Sequence, residues 1–231
     1  SAPSAELSVA FLDVGQGDAT LVRTAGGYDL LIDGGPSPSA ITNALGRRLP
    51  FWDRTIDLVV LTHPDEDHVA GLLDVIERYE VKQVLAPDFP GDTAVFTRWQ
   101  ETIQRKGLKV TPARQGQTVD LGEGTRLEVL SPSTVAASIT VDANAAAIVA
   151  RLVSPSLTVL LLSDATPEVQ RALVADGQQV EAHVLKLPHH GARDGLDPEL
   201  LKMADPEVAV VSVGKNNRYG HPAPETLKLL S

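Results

Sequence analysis

Hydrophobic positions along the chain fall into short runs with two different spacings. Leu7–Val14, Ala19–Thr24 and Tyr28–Ile32 are aliphatic and β-branched and are separated by glycines, which predicts three strands. Gly15-Gln16-Gly17 and Gly26-Gly27 are turn signals, and the second is consistent with a hairpin. A helix is expected around Ala40–Arg48, followed by Ile56–Thr62, an apolar run that reads as a strand buried on both faces. Val69, Leu72, Leu73, Ile76 and Tyr79 then recur at helical spacing and form one apolar stripe.

The second half repeats this mixture without repeating its sequence. Strands are expected over Arg126–Leu130, Ala147–Leu152, Thr158–Leu162, His183–Leu187 and Val208–Val213. Helices are expected over Ala94–Arg105, Pro167–Ala175, Pro198–Met203 and Pro222–Leu230. Hairpin-connected strands come first and helices then alternate with strands, so the chain reads as a layered α/β (or α+β) protein. The last helix stops at Ser231 without a C-cap glycine, which fits a domain cut from a longer polypeptide. The start is small and polar, and residues 1–6 read as a linker or a cloning remnant rather than a signal peptide.

Composition narrows the class. The 231 residues are 43% hydrophobic and 22% charged, as expected of a globular chain able to bury a core. No apolar run approaches the roughly 18 to 20 residues that span a bilayer. The absence of cysteine excludes a disulfide scaffold and a thiolate zinc site. A net charge of -10 argues against a broadly basic nucleic-acid surface, but not against a local basic patch or phosphate contacts through metal ions.

The strongest chemical signal is His63-Pro64-Asp65-Glu66-Asp67-His68, with four potential ligands between an apolar strand and an amphipathic helix. Imidazole and carboxylate suit Zn²⁺, Mn²⁺ or Fe²⁺. His63 and Asp65, two apart in extended chain, project to one side, while Asp67 and His68 sit on the turn into the helix. The bland alternative is an acidic loop with Asp67 as helix N-cap, which has no need of two histidines. His189-His190-Gly191 follows a strand, and strand ends in layered folds are where ligands sit. Asp164 ends another apolar strand and reads either as a helix N-cap or as a metal ligand. Of the six histidines only His183 lies outside such a context, and it reads as structural.

Together these residues resemble the metallo-β-lactamase superfamily, and within it the C-terminal domain of ComEC-type competence DNA-uptake channel proteins. Phe11-Leu12-Asp13-Val14-Gly15-Gln16-Gly17-Asp18 looks like that family's opening motif, and Leu31-Ile32-Asp33-Gly34-Gly35 like its next element. Thr62–His68 is similar to its metal motif, and Leu161-Leu162-Ser163-Asp164 to its bridging-aspartate strand. Leu185-Lys186-Leu187-Pro188-His189-His190-Gly191 and Asn217-Arg218-Tyr219-Gly220-His221-Pro222 resemble its late motifs. The resemblance implies an αββα sandwich over residues 7–231, two mixed sheets flanked by helices. It implies two divalent ions, Mn²⁺ or Zn²⁺, with ligands drawn from His63, Asp65, Asp67, His68, Asp164 and one of His189 and His190. Asp65 stands where most of the superfamily has a histidine, and this harder oxygen donor favours Mn²⁺. Two departures stand out: Ala192 replaces a serine, and Thr140–Ala145 keeps only Asn144 of the polar residues usual there.

The ligand set points to hydrolysis, with paired cations activating water for attack on a phosphorus or carbonyl centre. Asp67 and Asp164 would hold the ions and orient the nucleophile, and His221 or Lys186 would protonate the leaving oxygen or grip a phosphate. Lys215 and Arg218, in a loop free of acids, and Asn144 are the expected substrate contacts; Tyr219 beside Arg218 suits single-stranded nucleic acid. By resemblance the domain is a nuclease of natural transformation that degrades the non-imported DNA strand. It would be a monomer on the extracytoplasmic face of the membrane, tethered to a membrane-embedded parent chain. The alternatives are a phosphodiesterase or esterase on a small or cell-wall substrate, and a catalytically weak DNA-binding or channel-gating domain.

Overall fold

The computed structural model describes residues 6–88, 91, 93–133 and 142–231. The chain divides into two compact units, residues 1–112 and 113–231. Both follow one plan: antiparallel strands first, then parallel strands joined through helices, giving in each a six-stranded mixed sheet flanked by helices.

In the first unit the sheet order is β1 (Ser8–Phe11), β2 (Thr20–Arg23), β3 (Asp29–Ile32), β4 (Thr55–Val60), β5 (Glu80–Ala86) and β6 (Val110–Pro112). β1, β2 and β3 pair antiparallel, and β3 to β6 run parallel. Helices α1 (Pro38–Gly46), α2 (Glu66–Arg78) and α3 (Ala94–Lys106) connect the parallel strands. The expected stripe on α2 packs into a core with Leu21, Leu31, Ile56 and Val59; Leu73 sits at its margin, half-buried. Two strands of this sheet escape the hydrophobic pattern. β5 carries exposed Glu80, Lys82 and Gln83 between its buried residues, and β6 is a three-residue edge strand that ends in Pro112.

The second unit orders its strands β12 (Val208–Val210), β11 (Val184–Lys186), β10 (Thr158–Leu161), β9 (Val149–Val153), β8 (Thr125–Ser131) and β7 (Thr118–Gly122). β7 to β10 are antiparallel and β10 to β12 parallel. Its helices are α4 (Pro167–Ala175), α5 (Pro198–Ala204) and α6 (Pro224–Leu229). Leu160, Leu162, Leu173, Leu185, Leu187 and Leu200 build its core. β7, another polar edge strand, is the third strand the pattern misses. α6 begins two residues later than expected, at Pro224 behind its N-cap Ala223. The linker expected at residues 1–6 falls almost wholly outside the described residues, as do Thr140 and Val141 of the middle segment.

One backbone contact fixes the entry into α2. A Cβ placed on Gly71 would lie 1.9 Å from the Gly34 carbonyl oxygen, so helix and loop meet main chain to main chain. The Gly34 N–H donates to the His68 carbonyl (2.8 Å) and the Gly71 N–H to the Gly35 carbonyl (2.9 Å). This staple sets α2 against the loop that follows β3. Gly71→Ala is therefore expected to destabilise the chain by about 3 kcal/mol, at the upper end of overpacking costs, read as a lower urea midpoint with an unchanged m-value. An unchanged midpoint would show that the loop yields without cost.

Candidate metal centre

Parallel strands deliver their carboxyl ends side by side, and both units place their chemistry there. In the first unit Asp33 follows β3, and Thr62–His68 follows the neighbouring strand β4. His63 and His68 are fully buried, with ring centroids 4.0 Å apart. Asp65 occupies the N-cap position of α2, yet its side chain makes no capping hydrogen bond; its Oδ2 lies 3.6 Å from His63 Nε2. The alternative of Asp67 as N-cap is thus overturned, because Asp67 sits inside the first turn and the residue at the cap does not cap. Glu66 and Asp67 in that turn favourably face the positive end of the helix.

Asp33 organises the two histidines, a role the sequence does not announce. It is buried, with φ of 59°, and its Oδ1 accepts the Thr62 backbone N–H at 2.8 Å. Its Oδ2 accepts the Thr62 hydroxyl at 2.7 Å and lies 2.8 Å from His68 Nδ1. A carboxylate can only accept, so His68 carries its proton on Nδ1 and its lone pair on Nε2. The Thr62 hydroxyl spends its proton on Asp33, so at 3.0 Å it accepts from His63 Nδ1, which leaves the second lone pair also on Nε2. One carboxylate thereby sets both tautomers, the arrangement that orients imidazoles toward a metal. Burial pushes the Asp33 carboxyl up from its usual range, while the hydrogen bonds from His68 and Thr62 pull it back. Asp18, also outside the expected set, is another buried carboxylate of this unit; its N–H donates to the Asp67 carbonyl at 3.2 Å.

In the second unit Asp164, His189-His190 and the 212–221 segment follow β10, β11 and β12 in turn. Asp164 is buried in the turn past β10, and the N-cap of α4 is Thr166, which removes the reading of Asp164 as a cap. Its Oδ2 lies 3.8 Å from His190 Nε2 and 4.0 Å from His189 Nε2. His190 is buried and its Nδ1 donates to the Ser212 carbonyl at 3.1 Å, which again puts the lone pair on Nε2; His189 is 44% exposed. His190 is accordingly the better-prepared ligand of the pair. Ser163, His189 and His190 hold φ values of 50°, 47° and 54°, strain of a kind that clusters at functional sites.

Asn217 shapes the loop beyond β12. Its Nδ2 donates to the Gly214 and His221 carbonyls (3.1 and 2.7 Å), and its Oδ1 accepts from the Tyr219 and His221 N–H groups (3.1 and 3.0 Å). The clamp brings the His221 ring 6.2 Å from His189 and 6.5 Å from His190. Burial, and then the neighbouring histidines, hold the His221 pKa below its ordinary value, against the pull of Asp164. Its buried Nδ1 has no hydrogen-bond partner among the described residues. Asn144 likewise has a buried side-chain oxygen without a hydrogen-bond partner among the described residues. Lys186 is buried on β11 and donates to the Leu187 carbonyl. Lys215 and Arg218 are exposed, and the Arg218 guanidinium lies 5.6 Å from the Tyr219 ring. His183 has the structural role expected of it, its Nδ1 accepting the Thr158 N–H at 3.0 Å.

The fold and these ligand groups define a metal-dependent hydrolase, and the chain belongs to the metallo-beta-lactamase superfamily, whose family model matches residues 12–215. Within it, the chain is similar to ComE operon protein 3 of Bacillus subtilis, 26% identical over 98% of this chain and 31% of that protein. Competence protein ComA of Neisseria gonorrhoeae is 29% identical over 95% of this chain and 29% of its own length. Recombination protein 2 of Haemophilus influenzae is 26% identical over 91% and 25%. The chain thus spans a third or less of the length of these relatives. Among solved structures it shares its fold with the metallo-beta-lactamase fold protein YhfI of Bacillus subtilis (TM-score 0.61, 16% identity, 95% of this chain and 92% of that one). The diiron β-hydroxylase CmlA of Streptomyces venezuelae is also similar in fold (TM-score 0.60, 18% identity, 97% and 50%). The fold implies divalent metal binding, and no helix among the described residues is long and apolar enough to cross a membrane.

Proposed function

We propose that the chain is a metal-dependent nuclease domain acting on DNA during competence, with single-stranded DNA the favoured substrate. The observation that carries the metal half of this reading is the proton bookkeeping above: three buried histidines each commit Nδ1 as a donor and keep Nε2 for a ligand. The donors of each unit fit hard or borderline divalent cations, Mn²⁺ or Zn²⁺: His63, Asp65, Asp67 and His68 in the first unit, and Asp164, His190 and His189 in the second. Asp65 adds oxygen character that favours Mn²⁺. When bound, such cations supply Lewis acidity toward a phosphoryl oxygen and acidify a water nucleophile.

The chain's own residues do the rest. Asp33 and the Ser212 carbonyl hold the imidazoles in their ligand tautomers. Asp67 and Asp164 are assigned to orienting the nucleophile. His221, with its buried Nδ1, is suited to a hydrogen bond with substrate, and Asn144 brings an amide oxygen in need of a donor. Lys186 is assigned to countering negative charge on the leaving oxygen. The DNA half rests on the competence relatives, which are taken to be membrane proteins, so an extracytoplasmic, membrane-associated, monomeric domain is part of the same proposal.

Substrate choice has its own test, because a chain with net charge -10 repels DNA at long range. Local cations must compensate, and among the described residues neither Lys215 nor Arg218 pairs with a carboxylate. Lys215→Ala with Arg218→Ala is expected to lower DNA cleavage by roughly tenfold or more, with a shallow salt dependence because few phosphates are neutralised. Hydrolysis of a small chromogenic phosphodiester should be spared. Equal loss on both substrates would place the loop in the catalytic step, and no loss on either would shift the reading to a small-substrate hydrolase.

A further inference from the structure

The turn between α1 and β4 carries a feature that the metal chemistry does not use. Its sequence is Arg47-Arg48-Leu49-Pro50-Phe51-Trp52-Asp53-Arg54. The Asp53 N–H closes a turn onto the Pro50 carbonyl at 2.9 Å, which makes Phe51 and Trp52 its two corner residues. They are 81% and 63% exposed, while Leu49 is buried and roots the turn. Arg23 braces it: its guanidinium bonds Asp53 Oδ2 at 3.0 Å and the Arg48 carbonyl at 3.4 Å. The same guanidinium also pairs with buried Asp29 at 2.6 Å, so its one positive charge is shared between Asp53 and Asp29. Arg47, Arg48 and Arg54 are exposed, and among the described residues none of them pairs with a carboxylate. An acidic chain thus presents an exposed aromatic pair with three arginines close to it in sequence, one of which, Arg54, lies over the Tyr79 ring at 5.6 Å.

We propose that this knob is an interfacial anchor for an anionic lipid surface. Aromatic side chains flanked by arginines are the combination that seats at the headgroup boundary, rings inward and guanidinium groups on the phosphates. Ring geometry separates this reading from nucleic-acid stacking. Phe51 and Trp52 lie edge to face, centroids 4.7 Å apart and planes at 85°, so the edge of one ring covers the face of the other. Rings at right angles do not form the parallel platform on which successive bases stack, whereas together they make one compact apolar tip. Placement agrees. The turn feeds the amino end of β4, and the His63 motif leaves its carboxyl end, six residues or roughly 20 Å along the strand. An anchor there holds the metal ligands away from the lipid.

The chain reports on this directly, because it has two tryptophans and Trp99 is buried against Phe96. The 231-residue chain is mixed with vesicles of equal parts phosphatidylcholine and phosphatidylglycerol, and with phosphatidylcholine alone. The proposal expects co-sedimentation and a blue shift of Trp52 emission with the anionic vesicles only. Phe51→Ala should abolish both, and Trp52→Ala should leave a Trp99 signal that does not move. Each of Arg47→Gln, Arg48→Gln and Arg54→Gln should weaken binding on the order of fivefold. Metal content and hydrolysis of a small phosphodiester should be unchanged in the Phe51 and Trp52 variants, so the result is independent of the nuclease proposal. Absence of co-sedimentation overturns the anchor. Vesicle binding that survives Phe51→Ala and Trp52→Ala overturns it as well. A Trp52 shift with a single-stranded oligonucleotide but not with vesicles assigns the knob to strand binding instead.

Discussion

Asp164→Ala is expected to abolish hydrolysis and to lower the metal content of the purified chain, with the fold left intact. Asp164 stands in the turn past β10, buried, with its carboxylate beside both His190 and His189. It caps no helix, since Thr166 holds the N-cap of α4, and the strand before it is anchored by Leu160 and Leu162. Removing the carboxylate takes away the proposed ligand without removing packing, so the metal-free variant should unfold within about 1 kcal/mol of the metal-free parent. Elemental analysis, a hydrolysis assay and urea unfolding read the three consequences separately. Full metal content with full activity would reduce Asp164 to a turn residue.

A second large effect is expected one step away from the ligands. Asp33→Asn keeps the size of the side chain and one acceptor oxygen, but puts an NH₂ group where a carboxylate oxygen takes protons from Thr62 and His68. Donor then faces donor. His68 can answer only by moving its proton to Nε2, the nitrogen assigned to the metal, and the Thr62 relay to His63 loses its direction. Second-sphere partners of this kind carry about 10- to 100-fold in metal affinity. Because one residue here serves two histidines, the upper end is expected, read by competition with a chromophoric chelator. The same change leaves buried donors poorly matched and should cost about 1–3 kcal/mol of stability. A fall in stability with unchanged metal affinity would mark Asp33 as a purely structural residue.

The candidate ligand motifs stand out in the sequence because each is contiguous, and the structure places His63 to His68 and His189-His190 after apolar strands, as expected. Asp33 was readable only as part of a motif. Its function arises from the parallel pairing of β3 with β4, which sets position 33 beside positions 62 and 68, and no local pattern carries that register. The same holds for Asp18, whose partner Asp67 is far along the chain. The three unforeseen strands failed for another reason. β6 and β7 are short, polar sheet edges, and β5 mixes charge into its core-facing alternation. The capping alternatives for Asp67 and Asp164 were sound on residue type, and fell because the chain seats its caps at Asp65 and Thr166. The exposure of Phe51 and Trp52 had no signature at all, since two aromatics after a proline read equally well as core.

The central claim, a metal-dependent nuclease, meets its most direct test in one paired measurement on the purified 231-residue chain. Metal content is determined by elemental analysis, and the same sample is assayed on single- and double-stranded DNA before and after chelation. Bound divalent metal is expected, with DNA cleavage that chelation abolishes and added Mn²⁺ restores better than Zn²⁺, and with single strands cut preferentially. A fully metal-loaded chain that leaves both DNA substrates intact would contradict the claim.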